Sequence, residues 1–428
     1  MRNLFIISVF ISFFPLSCFS QVRSNVNIEL WGDALEYYEK AMSGDAEAQY
    51  ELAWCYNDGN GTNKDYKKAL IWANKASEQG FSPATYFIAT AYELGEGVEK
   101  DKEIARKWYI KSRLQAEKTA YEGDSAAQYI LGKLYWFGNG DVYMNYEKAF
   151  EWFNKAANKG HAEAQAFTGY SYYDGKGVEQ NYLKAIEWLQ KSADNGSSKG
   201  QAVLAYCYKE GKGIKKDEKK ALYWYRKSAE KGEDESQLLL GIMYMEGFGT
   251  EKDSIQAHYW INKSAEQGNC DAQYYLGFFY ENGIVVEQDY KKAEMWYLKA
   301  AEQNHSEAQN CLGLLYYNGF GITKDFKKAV EWWLKSASQG HSGAQYNLGF
   351  RYYSGEGVER DFQKAVYWWE KAAEQGDYFS QNMLGVCYRD GTGVPKNKAK
   401  AIEYLRKAAK GGSEYAKKHL KDLGITKY

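Results

Sequence analysis

Proline is nearly absent, with three in 428 residues. Proline breaks helices from the inside, so its scarcity argues for helix along most of the chain. Histidine is scarce too, at five. No His-x-x-x-His pair occurs, and no close Cys/His cluster has the spacing of a structural zinc site. A charge of one sign is missing: 55 basic and 56 acidic residues are mixed and nearly cancel. Without a basic stripe to track phosphates, nucleic acid is excluded as an expected partner. Beyond the N-terminus, no stretch reaches the roughly 18 apolar residues of a membrane helix. Of six cysteines, Cys55, Cys207, Cys270, Cys311 and Cys387 follow Cys18. Five is a poor number for a disulfide framework, and small buried apolar fillers are the expected role.

The N-terminus reads as a separate piece. Met1-Arg2-Asn3 is a short basic start, Leu4 to Leu16 is apolar, and Cys18-Phe19-Ser20 places small residues before Gln21. This is the pattern of a secretory signal over residues 1–20, cleaved to leave Gln21. A lipoprotein signal ending at Cys18 is the alternative, but Pro15 stands where leucine is usual, so simple cleavage is preferred. The expected location is secreted or periplasmic.

What the chain has in abundance is self-similarity. Gly340 to Gly376 reads GHSGAQYNLGFRYYSGEGVERDFQKAVYWWEKAAEQG. Comparable segments open at Gly44, Gly80, Gly123, Gly160, Gly196, Gly232, Gly268, Asn304, Gly340 and Gly376, mostly 36 residues apart. A fixed period of this size marks a solenoid of stacked units, which needs no single large core. Each unit parses as helix A, turn, helix B. In the ninth, Ala344, Leu348, Gly349 and Tyr352 form one helical stripe. The tyrosine column from Tyr56 to Tyr388 has no exception, and the Gly349 column holds only Gly or Ala. A repeated mid-helix glycine costs about 1 kcal/mol each time, so another helix backbone is expected close against it. Gly355 ends helix A, and Asp361 is placed to cap helix B. The tryptophans from Trp72 to Trp368 are expected as packing wedges between helix B and its neighbours.

Two units depart from the period. Lys111 to Gly123 holds about seven extra residues, an extended helix B or a bulged loop, and the turn from Gly140 to Asn145 holds one more. The expected organisation is a capping helix in 21–43, ten repeats over 44–411 and a closing helix over 412–428.

The patterns A-Q-x-x-L-G-x-x-Y, G-x-G-V, D-x-x-K-A and W-x-x-K-A-A-x-x-G resemble the Sel-one-like repeat family, a relative of the tetratricopeptide repeat. The resemblance spans residues 34 to 424. It implies an all-α, right-handed α/α superhelical solenoid with a concave inner face, acting as a scaffold or adaptor. Some secreted members are linked to penicillin binding or weak β-lactamase activity. Those members carry a paired cysteine in each repeat, which this chain lacks.

Candidate chemistry is thin. Ser228-Ala229-Glu230-Lys231 satisfies S-x-x-K, but no S-D-N or K-T-G companion exists, so the match reads as accidental. Each Gly-x-Gly turn follows a helix, not the strand a dinucleotide fingerprint requires. His161, His305 and His341 share a column with Asp45, Asp124 and Asp377, which suits a helix start. His258 and His419 read as incidental. Carboxylates recur as solvated helix residues, with no acid–base pair to single out. No catalytic residue, metal or cofactor is expected; a β-lactamase-like hydrolase is the only enzymatic alternative, by family analogy. The better candidates are variable positions on helix A, where aromatic and charged groups suit protein or peptide recognition. They are Trp136, Tyr173, Lys209, Tyr317, Phe350, Arg351, Tyr353 and Arg389.

Overall fold

The computed structural model describes residues 30–425. The expected signal peptide, the start of the capping helix and residues 426–428 lie outside them. The described residues fall into two compact units. The first runs to His161 and takes in Lys176–Val178; the second comprises Ala162–Gly175 and the chain from Glu179 onward. The first contains α1 (Asp33–Met42), α2 (Ala46–Asp58), α3 (Tyr66–Glu78), α4 (Ser82–Leu94), α5 (Lys102–Ala120), α6 (Ser125–Phe137) and α7 (Tyr146–Asn158). The second contains α8 (Ala162–Asp174), α9 (Tyr182–Asp194), α10 (Ser198–Glu210), α11 (Glu218–Glu230), α12 (Asp234–Glu246), α13 (Ser254–Glu266), α14 (Cys270–Asn282) and α15 (Tyr290–Glu302). It continues with α16 (Ser306–Asn318), α17 (Phe326–Ser338), α18 (Ser342–Ser354), α19 (Phe362–Glu374), α20 (Tyr378–Asp390), α21 (Lys398–Lys410) and α22 (Glu414–Asp422). Among the described residues there is no strand. The architecture is an all-α solenoid in which, inside each unit, helix packs on the helix before it. Even-numbered helices from α2 to α20 are the A helices and odd-numbered ones from α3 to α21 the B helices.

Local chemistry explains where each helix stops and starts. Helix A ends on a glycine in the left-handed region, such as Gly355 at φ 78°. The chain then turns so that the Asp361 N–H reaches the Tyr352 carbonyl at 2.8 Å, and the same bond recurs from Asp65 to Tyr56. The Asp361 carboxylate accepts the Lys364 N–H at 3.0 Å and caps helix B. Asn145, Asn181 and Asn397 do the same in their repeats. A lysine in the first turn of helix B sets its ammonium over the invariant tyrosine ring, at 5.1–5.4 Å for Lys68, Lys184, Lys328 and Lys364. Helix A is capped from the histidine column as expected. His305 Nδ1 accepts the Ala308 N–H at 3.2 Å, and His341 Nδ1 accepts that of Ala344 at 3.1 Å.

The second glycine of the turn has a packing reason. A methyl group on Gly357 would lie 2.3 Å from the Phe326 carbonyl, at the head of the preceding helix B. The seventh repeat breaks this rule, with Val285 held at φ 65°. A β-branched residue in the left-handed region is strained.

Inside each hairpin the structure corrects two expectations. The repeated glycine of helix A is not a seat for another backbone alone. It is a socket for a side chain of its own helix B. Methyl groups on Gly313 and Gly349 would lie 2.4 and 2.6 Å from the indoles of Trp333 and Trp369. Phe153 fills the same place over Gly132, and Tyr297 over Gly277. These rings are almost fully buried, each contributing about 2–3 kcal/mol of hydrophobic stabilisation. The wedge is therefore the residue after the tryptophan column, not the column itself. The column tryptophans stand one step round the helix: Trp72, Trp152 and Trp260 are buried, but Trp108, Trp188, Trp296 and Trp332 are only half-buried. A lysine one turn on lies over the ring, at 3.8–4.5 Å for Lys75, Lys111, Lys191 and Lys335.

Between repeats, buried polar side chains make the joints. Gln237 donates its amide to the Ala229 carbonyl at 3.1 Å, and its own carbonyl accepts from Gln267 at 2.9 Å. Gln267 also reaches the Gly232 carbonyl at 2.8 Å. The pattern recurs at Gln273 with Gln303 and at Gln345 with Gln375. Within a hairpin, helix-B serines tie back to the start of helix A: Ser264 and Ser336 donate to the carbonyls of Asp234 and Ser306, at 2.7 and 2.8 Å. The glutamine joint is incomplete in repeats three and five. In repeat three Lys159 replaces the glutamine, bonds the Gly123 carbonyl and leaves Gln128 Oε1 buried without a partner. In repeat five Lys231 does the same, bonding the Gly196 carbonyl and leaving Gln201 Oε1 buried without a partner.

The insertions settle into definite structures. The extra residues of the second repeat lengthen α5 to 19 residues, against 13 for the other B helices. Arg113 on that extension forks onto Asp141 of the lengthened turn, with both contacts at 2.8 Å, and also pairs with Glu117. The two departures from the period thus hold each other. At the ends, α1 buries Ala34 and Ala41, and α22 buries Ala416 and Leu420. Cys55, Cys207 and Cys387 are free and buried, and burial pushes their thiols up to about 11, 12 and 12.

Three outcomes check this description. Val285→Gly relieves left-handed strain and should raise stability by about 1 kcal/mol, read as a higher urea midpoint. Lys231→Gln should complete the glutamine joint and add about 1 kcal/mol in the same measurement. His341 caps α18 only when neutral. Burial holds its pKa below the ordinary value, although the Glu307 carboxylate pulls the other way. Its contribution is therefore complete above about pH 6.5 and is lost as pH falls through the depressed folded value. His341→Asp, the residue found at Asp45 and Asp377, should keep the cap and flatten the loss of stability between pH 7.5 and 5.

Candidate protein-interaction surface

The columns that vary between repeats lie on helix A, one step away from the socket glycine. The structure joins four of the eight candidates in repeats eight and nine. The Arg351 guanidinium lies over the Tyr317 ring at 4.2 Å and beside Phe350 at 4.9 Å, and pairs with Glu356. Tyr353 packs against Phe350 at 6.4 Å and against Phe362 at 5.3 Å. The result is a platform of half-exposed rings, Tyr317, Phe350 and Tyr353, pinned by one cation. Arg351 itself is 7 % exposed. It is a clamp within the platform rather than a surface contact, because its charge is satisfied from inside the chain.

Trp136 is corrected in the same way. It is 8 % exposed, packed edge-on against Tyr146 at 4.9 Å and against Phe153 at 6.0 Å. Its bulk fills its own hairpin. Tyr173 belongs to a second aromatic cluster with Tyr170, Tyr182 and Tyr206. Burial pushes its hydroxyl up, while a hydrogen bond with Lys212 pulls it back. Lys209 pairs with Glu210 at 3.4 Å. Arg389 forks onto Asp390 at 2.8 Å and reaches His419 Nδ1 at 3.2 Å. Both cations are thus neutralised by the residue that follows them.

One feature escaped the reading of the sequence. A groove of about 570 Å³ opens on the second unit across α12, α14 and the start of α16. Leu239, Ile242 and Tyr275 line it, with Glu235, Asp271 and Glu307 at its rim. The three carboxylates occupy one column at successive repeats, a signal present in the sequence but hidden among many solvated carboxylates. Burial works against ionisation of Glu307, but the Ser306 hydroxyl, the helix N–H groups and the imidazoles of His305 and His341 hold its carboxyl below the usual range. His305 stacks on Tyr274 at 4.9 Å and places Nε2 3.0 Å from Asp271.

The S-x-x-K match is structural. Ser228 is fully buried, donates to the Ser198 carbonyl at 2.9 Å and shares a hydrogen bond with Ser236. Its Oγ is committed to a joint between repeats. Among the described residues, no three or more His, Cys, Asp or Glu side chains converge as a metal would require. No helix among them is long and apolar enough to cross a membrane.

The model of the Sel1 repeat family matches ten segments: 46–81, 82–116, 125–161, 162–197, 198–233, 234–269, 270–305, 306–341, 342–377 and 379–413. A Sel1 repeat protein from Oxalobacter formigenes is 32% identical, with 74% of this chain and 93% of that one covered and a TM-score of 0.55. A protective antigen of uropathogenic Escherichia coli with an SLR fold is 34% identical, with 92% and 90% covered and a TM-score of 0.48. The chitin synthase regulator SKT5 of Saccharomyces cerevisiae is 32% identical over 138 residues, which are 32% of this chain. The match spans 19% of that regulator. With ten matched repeats in phase and a 32% identical solved relative covered almost end to end, the chain belongs to the Sel1 repeat family.

Proposed function

We propose that the chain is a protein-interaction scaffold that captures a protein or peptide on the face formed by its A helices, and that it acts outside the cytosol after removal of residues 1–20. The observation that carries the first part is the platform of Tyr317, Phe350 and Tyr353. Half-exposed aromatic rings held in place by packing offer large contact area at little entropic cost, and such residues dominate interface energetics. The invariant columns build the stack, so these variable positions are free to differ for recognition. The relative named as a chitin synthase regulator supports a role exerted on another protein. The buried state of Ser228 leaves the S-x-x-K match without an accessible nucleophile. The basic start, apolar run and small residues before Gln21 support export.

The reading is tested with a partner identified by affinity purification from the native host and mass spectrometry. Tyr317→Ala combined with Tyr353→Ala should weaken its capture by about tenfold or more, with helical circular dichroism retained. Unchanged capture by a natively folded double variant would place the recognition face elsewhere.

A further inference from the structure

We propose that the groove across repeats six to eight is a docking site for an extended, cationic protein segment with a lysine or arginine at about every third position and apolar residues between them. The proposal rests on the scaffold reading and names the partner chemistry of one of its faces. Glu235, Asp271 and Glu307 recur at the second residue of α12, α14 and α16. The column does not continue: Lys199 precedes it and Gly343 follows it. The row of carboxylates therefore begins and ends with the groove.

Spacing selects the occupant. One imidazole, that of His305, reaches both Asp271 at 3.0 Å and Glu307 at 3.5 Å, so these two carboxylates are separated by no more than one ring and its two contacts. An extended chain advances about 10 Å in three residues. A strand laid across the A helices would thus present every third side chain to successive carboxylates. The floor adds a second requirement. Leu239, Ile242 and Tyr275 are half-buried and line the same groove. A bare polyamine would leave them uncovered, whereas a peptide with leucine between its lysines covers them. In a chain whose total charge nearly cancels, this local excess of negative charge is complementary to such a segment.

The test uses the full chain and a fluorescein-labelled peptide of Lys-Leu-Ala repeated three times, followed by fluorescence anisotropy at low and high salt. The variant Glu235→Gln, Asp271→Asn, Glu307→Gln should bind about tenfold more weakly at low salt and lose most of the salt dependence. A control variant, Glu230→Gln, Glu266→Gln, Glu302→Gln, removes three exposed carboxylates from the B-helix ends of nearby repeats and should bind as the parent does. Equal weakening by both variants, no weakening by the first, or equal binding of a Glu-Leu-Ala repeat would each overturn the assignment. The host partner separates the two readings. If that partner is captured while the peptide does not bind, the groove assignment falls and the scaffold reading stands. If neither is bound, both fall.

Discussion

The buried glutamine amides of α12, α14 and α18 are satisfied by reaching the helix B of the repeat before and the end of their own helix B. Gln237 donates to Ala229 of the preceding repeat and accepts from Gln267 at the end of its own helix B, so its polar groups are paired only when two successive hairpins are in register. An unpaired buried amide costs about 1–3 kcal/mol, so a slipped or missing repeat is penalised at every joint. Hydrophobic burial could stack the hairpins in several ways. The glutamine joints select one. The same demand explains why Ser228 is a structural residue despite its nucleophile-like sequence context.

Within a hairpin the governing constraint is steric. Where helix B supplies tryptophan, as at Trp333 and Trp369, helix A supplies glycine, because no Cβ fits under the indole. Where it supplies tyrosine, alanine is also found, as at Ala89 and Ala205 opposite Tyr109 and Tyr225. This leaves several of the neighbouring tryptophans half outside, where a lysine covers Trp108, Trp188, Trp296 and Trp332. Both the aromatic platform and the acid-rimmed groove arise at helix-A positions outside the socket and the glutamine joint.

Much of this was legible beforehand. The period, the caps at Asp361 and at the histidine column and the left-handed glycines follow from short-range rules, and the residues obey them. Of the five cysteines expected as buried fillers, Cys55, Cys207 and Cys387 are buried, while Cys270 and Cys311 are only half-buried. The site was read less well. Trp136 and Arg351 occupy variable positions, but variability between repeats does not by itself mean exposure. Trp136 is large enough to fold back on Phe153, and Arg351 finds Tyr317 and Glu356 within the chain. The three carboxylates of the groove could not be told from solvated ones, because their distinction lies in the apolar side chains of adjacent helices.

The sequence by itself determined the unit. Helix A, turn and helix B each carry their stop and start signals within one repeat, and those signals act over a few residues of chain. Only the tertiary structure decided what each variable side chain faces. That outcome depends on residues about 30 to 36 positions away, brought close by stacking, and on whether a neighbour of the right size is there to cover the side chain. Arg113 meeting Asp141, and Glu235, Asp271 and Glu307 meeting around one apolar floor, are arrangements that the stack alone creates.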